Sequence, residues 1–287
     1  MYLPERFSRM AIKAIALDID GTLTNDRKVV TPRTKMALLA AQDAGVKLIL
    51  ASGRPVQGLR AIASELALSE HGGLLVAFNG AHVVDAQTDE VLYDQPIDSD
   101  TMRELIGHVR DFDVIPWITR GGELFVERSS RHVIRYRDED LDIVEHECRM
   151  CDLVPCEVDD LLEACATPQD KLLCAAEPEY LQERWRSMVE PFDGRLSAMF
   201  TADFYFEFMA PGVDKGRALA GALPKLGIDA SEVVAFGDGQ NDVSMIKWAG
   251  VGVAMGNAID EAKAAADMVT ASNNEDGIAL ALDEILG

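Results

Sequence analysis

The stretch IALDIDGTLT, residues 15–24, is an apolar run that ends in two aspartates, Asp18 and Asp20, one residue apart and followed at once by Gly21. Together with the preceding residues it forms IKAIALD (residues 12–18), a short apolar segment with the pattern of a buried parallel strand. The two carboxylates then fall at the strand's carboxyl end, where open parallel sheets collect their ligands. Gly21 lets the chain turn sharply just there.

Working outward, Thr31 and Pro32 read as an N-cap and first-turn proline, and Met36, Leu39, Ala40 and Asp43 before Gly45 complete a helix with a glycine stop. KLILAS (47–52) is a second strand, a helix follows from about Pro55 to Leu68, and LLVAFNG begins a third strand at Leu74. This β-α-β-α-β order predicts a parallel sheet with helices on both faces and right-handed crossovers.

The rhythm changes after Asn79-Gly80. HVVDAQTDEVLYD reads as a hairpin, DSDTMRELIGHVRDF as a helix, and VIPWITR with ELFVER as strands paired across Gly121-Gly122. In FYFEFMAP, Phe204, Phe206 and Phe208 alternate with other residues as the core side of a strand. Trp117 and Trp185 read as packing residues. From Asp214 alternation resumes: a helix through Leu219 and Leu223, the strand EVVAFGD, the helix NDVSMIKWA, the strand VGVAM and the helices IDEAKAAAD and DGIALALDEIL. Pro224 falls inside the first of these helices and is expected to end or kink it. The resulting expectation is an α/β core made of residues 1–95 and 209–287, with an α+β module inserted over 96–208.

Composition excludes several partners. With 27 Lys and Arg against 49 Asp and Glu, a formal charge of -22 repels nucleic-acid phosphate and anionic lipid alike. The opening MYLPERFSRM has no apolar core of leader length, and no later run approaches the roughly 18 apolar residues that span a bilayer. A soluble cytoplasmic protein is expected. The five cysteines are an odd number confined to residues 148–174, which argues against a secreted disulfide framework. His146, Cys148, Cys151 and Cys156 are types that ligate zinc, but only one close C-x-x-C pair is present, so reduced thiols are the reading adopted.

Polar groups recur at the carboxyl ends of the predicted strands: Asp18 and Asp20, Ser52 and Gly53, then Asp238, Asn241 and Asp242. Lys215 enters at the start of a helix. Each alone is a common turn or cap, but four chain segments converging with compatible groups point to a site. Carboxylates about 4 Å apart repel by about 4 kcal/mol per pair at an effective dielectric near 20. One lysine does not neutralise three of them. A hard divalent cation with oxygen ligands does, and Mg²⁺ held by Asp18, Asp238 and the backbone carbonyl of Asp20 would keep room for water and phosphate oxygens. A second aspartate makes sense if a phosphate monoester is split in two steps, attack by a carboxylate and later hydrolysis of the acyl phosphate. One carboxylate attacks, ionised at neutral pH without a base. Its neighbour protonates the leaving alcohol and then takes a proton from water. Lys215, the Ser52 hydroxyl and the N–H groups of Asp20 and Gly53 are placed to steady the phosphoryl oxygens.

In this order, DIDGT, LASGR, GVDKG and GDGQND resemble the four motifs of the haloacid dehalogenase superfamily of aspartate-nucleophile phosphatases. AFNGA and SNNEDGIA are similar to its Cof-type branch, and the long insertion resembles that branch's C2 cap. The resemblance covers residues 11–85 and 209–287. It implies a doubly wound, Rossmann-like parallel core with an inserted cap that shields the reaction and selects the substrate. It also implies Asp18 as nucleophile, Asp20 as acid and base, and Ser52, Gly53, Lys215 and Asn241 as phosphate contacts. The metal site would be Asp18, Asp20 and Asp238, with Asp242 supporting the metal or Lys215. The expected activity is Mg²⁺-dependent hydrolysis of small phosphorylated metabolites, sugar or cofactor phosphates. A phosphomutase of the same superfamily and a noncatalytic phosphometabolite sensor are the alternatives. Nothing in the sequence marks an oligomeric state.

Overall fold

The computed structural model describes residues 11–287, so the opening decapeptide, read above as lacking a leader's apolar core, lies outside the described residues. The chain divides into two compact units. The first holds the described residues up to Ser52, with Leu59–Asp94 and Asp214–Gly287; the second holds Gly53–Gly58 and Gln95–Val213.

The first unit is built on an eight-stranded sheet. From one edge to the other its strands are Met268–Val269, Val251–Ala254, Val233–Gly237, Ala14–Leu17, Lys47–Ala51, Leu74–Ala77, His82–Asp85 and Val91–Asp94. Six run parallel, as the alternating sequence predicts; the last two form a hairpin that adds antiparallel to the edge. Strand order reverses at Ala14–Leu17, because the chain proceeds to one side through Lys47–Ala51 and returns later on the other side as Val233–Gly237. Leu17 lies opposite both Leu50 and Phe236, so Asp18 and Asp238 leave adjacent strands at this switch point, beside the segment that leads to Ser52.

The strands are buried on both faces, as a central parallel sheet requires. Ala14, Ala16, Ile49, Ala51, Val76, Val233 and Ala235 share one cluster with Ala218, Leu219, Ala222 and Met245 of the helices Lys215–Ala222 and Val243–Trp248. The intervening Ile15, Leu17, Leu48, Leu50 and Leu75 are equally buried and, by strand alternation, turn to the other face. The helix Pro32–Asp43 starts as predicted: the Thr31 side chain accepts from the N–H of Thr34, and Pro32 occupies the first turn. Pro224 does not kink a longer helix. The α-helix stops at Ala222, and Pro224 lies in a 3-10 turn, Leu223–Leu226, closed by left-handed Gly227. The predicted helix over 55–68 is shorter, Gln57–Glu65, since Ala67 turns left-handed and starts a separate 3-10 turn. The two-residue edge strand Met268–Val269 is too short to show periodicity and escapes sequence reading.

The second unit has a six-stranded sheet in the order Val154–Val158, Glu123–Glu127, Ile115–Arg120, Lys171–Ala175, Tyr205–Met209 and Ser197–Ala202. Its first pair is parallel and the others antiparallel. One face packs Ile118, Leu172, Cys174, Phe206 and Phe208 against Met102, Leu105, Leu181 and Met188 of the helices Ser99–Val109 and Pro178–Val189. On the other, Trp117, Leu173, Ala175 and Tyr205 meet Ile143, Val144 and Cys148 of the helix Ile143–Cys151.

This double covering corrects the reading of FYFEFMAP. Phe204 precedes the strand, and all of Tyr205–Met209 is buried, Glu207 included. The Glu207 carboxylate accepts from the Lys171 ammonium at 2.6 Å, which makes its burial tolerable. Lys171 also donates to the carbonyl of Gly53 at 3.3 Å, one reason Gly53–Gly58 packs with this unit. Trp117 is fully buried, and Trp185 packs against the first cluster.

The five cysteines are reduced thiols. Burial pushes Cys148 and Cys165 up to about 11, so neither thiol is nucleophilic at neutral pH. His146 packs edge-on to Phe204, and His146, Cys148, Cys151 and Cys156 do not form one of the groups of metal-competent side chains among the described residues. No described helix is long and apolar enough to cross a membrane.

Candidate active site

Asp18 is the first residue beyond the central strand, with its N–H on the carbonyl of Phe236 and its side chain almost entirely enclosed. Its Oδ1 accepts from Lys215 Nζ at 2.7 Å, and the same ammonium reaches Asp242 Oδ1 at 2.6 Å. Lys215 is fully buried and is the first residue of the helix that Asp214 caps by accepting from the N–H of Arg217. Burial works against its charge, but Asp18 and Asp242 outweigh that and hold the ammonium above its ordinary range. For Asp18 the balance goes the other way. Burial, then the like charge of Asp242, push it up to about 7 despite the pull of Lys215.

The Asp242 carboxylate is fully engaged. Besides Lys215 it accepts through Oδ2 from the N–H groups of Asp238 and Gly239 at 2.9 and 2.8 Å, which folds the GDGQND loop back on itself. Asp238 Oδ1 accepts from Thr22 Oγ1 at 2.6 Å. Burial raises the Asp238 carboxyl, the Thr22 hydroxyl opposing. Carboxylate oxygens of Asp18, Asp238 and Asp242 lie within 4.8 Å of one another.

Three carboxylates share one buried ammonium, leaving an excess of two negative charges. A divalent cation fits that excess, and an all-oxygen donor set suits a hard one. Because Asp242 is already occupied by Lys215 and two backbone donors, Asp18 and Asp238 are the carboxylates with oxygen atoms to spare for it.

Asp20 Oδ1 pairs with Lys28 Nζ at 2.8 Å in a part-exposed ion pair, while its charge still reaches Asp238. Ser52 is the first residue beyond the neighbouring strand, its N–H on the carbonyl of Val76 and its own carbonyl accepting from Asn79. Gly53, next in the chain, clusters with the second unit. Asn241 lies in the 3-10 turn Gln240–Asp242 and donates from Nδ2 to Asn79 Oδ1 at 3.0 Å.

Three residues here carry no role in the sequence reading: Thr22, Lys28 and Asn79. Thr22 follows the D-x-D-G motif so closely that its position was the available signal. Lys28 and Asn79 reach the site only through the folded loops. The loop 21–24 is also held from afar, by Asn257 donating to the Gly21 carbonyl and Asn273 to that of Thr24, so the SNNEDGIA segment supports the first motif.

Gly21 takes φ +90°, and a Cβ there would overlap the Asp238 carboxylate. Gly21→Ala is therefore expected to displace Asp238 in addition to costing about 1 kcal/mol for the left-handed backbone. Thermal unfolding should show a lower midpoint, and phosphate-release assays a fall in kcat/KM. An unchanged pair of values would mean that the Gly21–Asp238 contact has no role in the site.

The sequence profile of the haloacid dehalogenase-like hydrolases matches residues 15–282. A Bacillus subtilis protein named "Putative phosphatase YxeH" is 33% identical over 274 residues, covering 96% of this chain and 98% of that protein. The 5-amino-6-(5-phospho-D-ribitylamino)uracil phosphatase YcsE of the same organism is 30% identical, with 94% of each chain covered. Among solved structures, a haloacid dehalogenase-like hydrolase from Bacteroides thetaiotaomicron superposes with a TM-score of 0.86 at 32% identity, over 96% of this chain and 99% of that one. With its motifs at the switch point of the sheet and a match spanning nearly its whole length, the chain belongs to the haloacid dehalogenase-like hydrolase family and is a hydrolase.

Proposed function

We propose that this protein is a Mg²⁺-dependent phosphatase of small phosphorylated metabolites, working through an acyl phosphate on Asp18. The carrying observation is the buried Asp18 carboxylate, bonded at 2.7 Å to an enclosed ammonium at the end of the central strand. Lys215 holds the carboxylate in place, and because burial and Asp242 still raise it to about 7, the attacking, ionised form is favoured by the further positive charge that a bound cation would supply.

In the first step an Asp18 oxygen forms a bond to phosphorus as the bond from phosphorus to the leaving oxygen breaks. The Asp20 carboxyl gives its proton to that oxygen, releasing an alcohol. In the second step water attacks the same phosphorus, Asp20 takes a proton from it, and the bond to Asp18 breaks to release inorganic phosphate. Lys215, the Ser52 hydroxyl, the Gly53 N–H and the Asn241 amide hold the non-bridging oxygens. Asp242 fixes Lys215 and the Asp238 backbone. Asp18, Asp238 and the Asp20 carbonyl would hold Mg²⁺, which when bound supplies neutralising charge to the transferring oxygens.

Relatives that act on a phosphorylated ribityl compound support small phosphomonoesters as the substrate class. The direct test is phosphate release from a panel of sugar and cofactor phosphates by purified protein. Release should need Mg²⁺, stop with EDTA and return when Mg²⁺ is restored. Isomerised sugar phosphate without inorganic phosphate would favour a mutase, and binding without turnover a sensor.

A further inference from the structure

The turn AFNGA, residues 77–81, has three successive left-handed residues: Phe78 at φ +51°, Asn79 at φ +56° and Gly80 at φ +105°. Two of them are not glycine. Side chains adopt that region at a cost of roughly 1–2 kcal/mol each, and such strain persists where surrounding contacts determine it. Those contacts lead to three of the segments assigned above to phosphate binding.

The Asn79 N–H donates to the carbonyl of Ser52 at 2.9 Å. Since a trans peptide is planar, fixing that carbonyl turns the N–H on the other side of the same peptide, that of Gly53, in the opposite direction. The Asn79 side chain, itself only 4% exposed, accepts from Asn241 Nδ2 at 3.0 Å. One of the two Nδ2 hydrogens is thereby spent, and the amide cannot rotate to exchange its nitrogen and oxygen without losing the bond. Asn241 then offers its remaining N–H to an anion, where the reversed amide would offer a repelling oxygen. Next door, Gly80 lies so close to the peptide joining Asp214 and Lys215 that a Cβ would overlap it.

We infer that Asn79 is a positioning residue for the phosphoryl group: its backbone aims the Gly53 N–H, its side chain aims the Asn241 amide, and its turn abuts the peptide that leads into Lys215. This rests on the phosphatase reading given above. Asn79 itself touches none of the reacting atoms in this role.

The test is a double-mutant cycle read by the inhibition constant of inorganic phosphate against p-nitrophenyl phosphate turnover. Asn79→Gly removes the side chain while tolerating the left-handed backbone. It and Asn241→Ala should each weaken phosphate by about tenfold or more, as loss of a hydrogen bond to a charged group implies. The double variant should be no weaker than Asn241→Ala alone. A merely structural role would lower the melting temperature without that coupling. Should Asn79→Gly fail to fold, Asn79→Ala, which likewise lacks the accepting oxygen, enters the same cycle with the same expected non-additivity. The inference is overturned if the Asn79 variant binds phosphate within twofold of wild type, if the two effects multiply, or if Asn241→Ala leaves phosphate binding intact. If the wild-type protein neither binds phosphate nor hydrolyses the ester, the phosphatase reading itself fails, which is a separate result.

Discussion

Asp18→Asn should lower phosphate release by about 10⁴-fold or more while raising the melting temperature of the cation-free protein. The first effect follows from removing the attacking oxygen's charge, since an amide at the same place keeps the shape and loses the nucleophile. The second follows from linkage. Asp18 has a carboxyl pushed from 3.8 up to about 7, by burial first and by Asp242 next. Between those two values the folded state carries the proton that the unfolded state has lost, so on this group's account stability falls as pH rises through that window. Asparagine has no proton to lose. The gain in melting temperature over wild type should be near zero below pH 3.8 and grow to its full size above about pH 7. Each kcal/mol should appear as roughly 2–4 °C in a chain of this size. Calorimetry with EDTA across that range checks it. A variant less stable than wild type at neutral pH would show that Asp18 is not a site of electrostatic conflict.

Lys215→Met should be damaging on both counts. The ammonium is fully enclosed and serves Asp18 and Asp242 at 2.7 and 2.6 Å. Removing one partner of a buried ion pair leaves the remaining charge uncompensated, at a cost of about 3–5 kcal/mol, and here two carboxylates are left. Loss of a preorganised positive group at the phosphoryl oxygens should lower kcat by about 10²–10³-fold as well. Adding Asp18→Asn to Lys215→Met should recover part of the lost stability, because one orphaned carboxylate disappears, but no activity. Denaturant unfolding and phosphate release on the single and double variants measure this. A recovery no larger than the gain that Asp18→Asn gives the wild-type protein would mean the two side chains do not interact as their distance implies.

The part of the molecule legible in sequence is the part where local pattern and tertiary role coincide. IKAIALD reads as a buried strand because both its faces are covered, and Thr31-Pro32 reads as a helix start because the cap is formed within four residues. Asp18, Lys215, Asp238 and Asp242 could be gathered from three separated motifs because each motif sits at the end of a regular element, and the structure does bring them together. Glu207 was not legible. Its charge suggested an outward position, and only the distant Lys171 makes the inward one tolerable. Gly53–Gly58 was not legible either, since a loop following a core strand gives no sign that it packs with another unit. Asn79 left a trace in the Asn-Gly pair, which marks a turn, but not in any feature naming Ser52 and Asn241 as its partners.

The most direct measurement is to trap the phosphoryl enzyme. In Asp20→Asn the first step can proceed with p-nitrophenyl phosphate, whose leaving phenolate needs little help from an acid, while the second step lacks its base. Rapid acid quench, proteolysis and mass spectrometry should then find phosphate on the peptide containing Asp18, at Asp18 itself. Phosphate on any other residue, or turnover with none attached to the chain at any time, would contradict the assignment of Asp18 as the nucleophile.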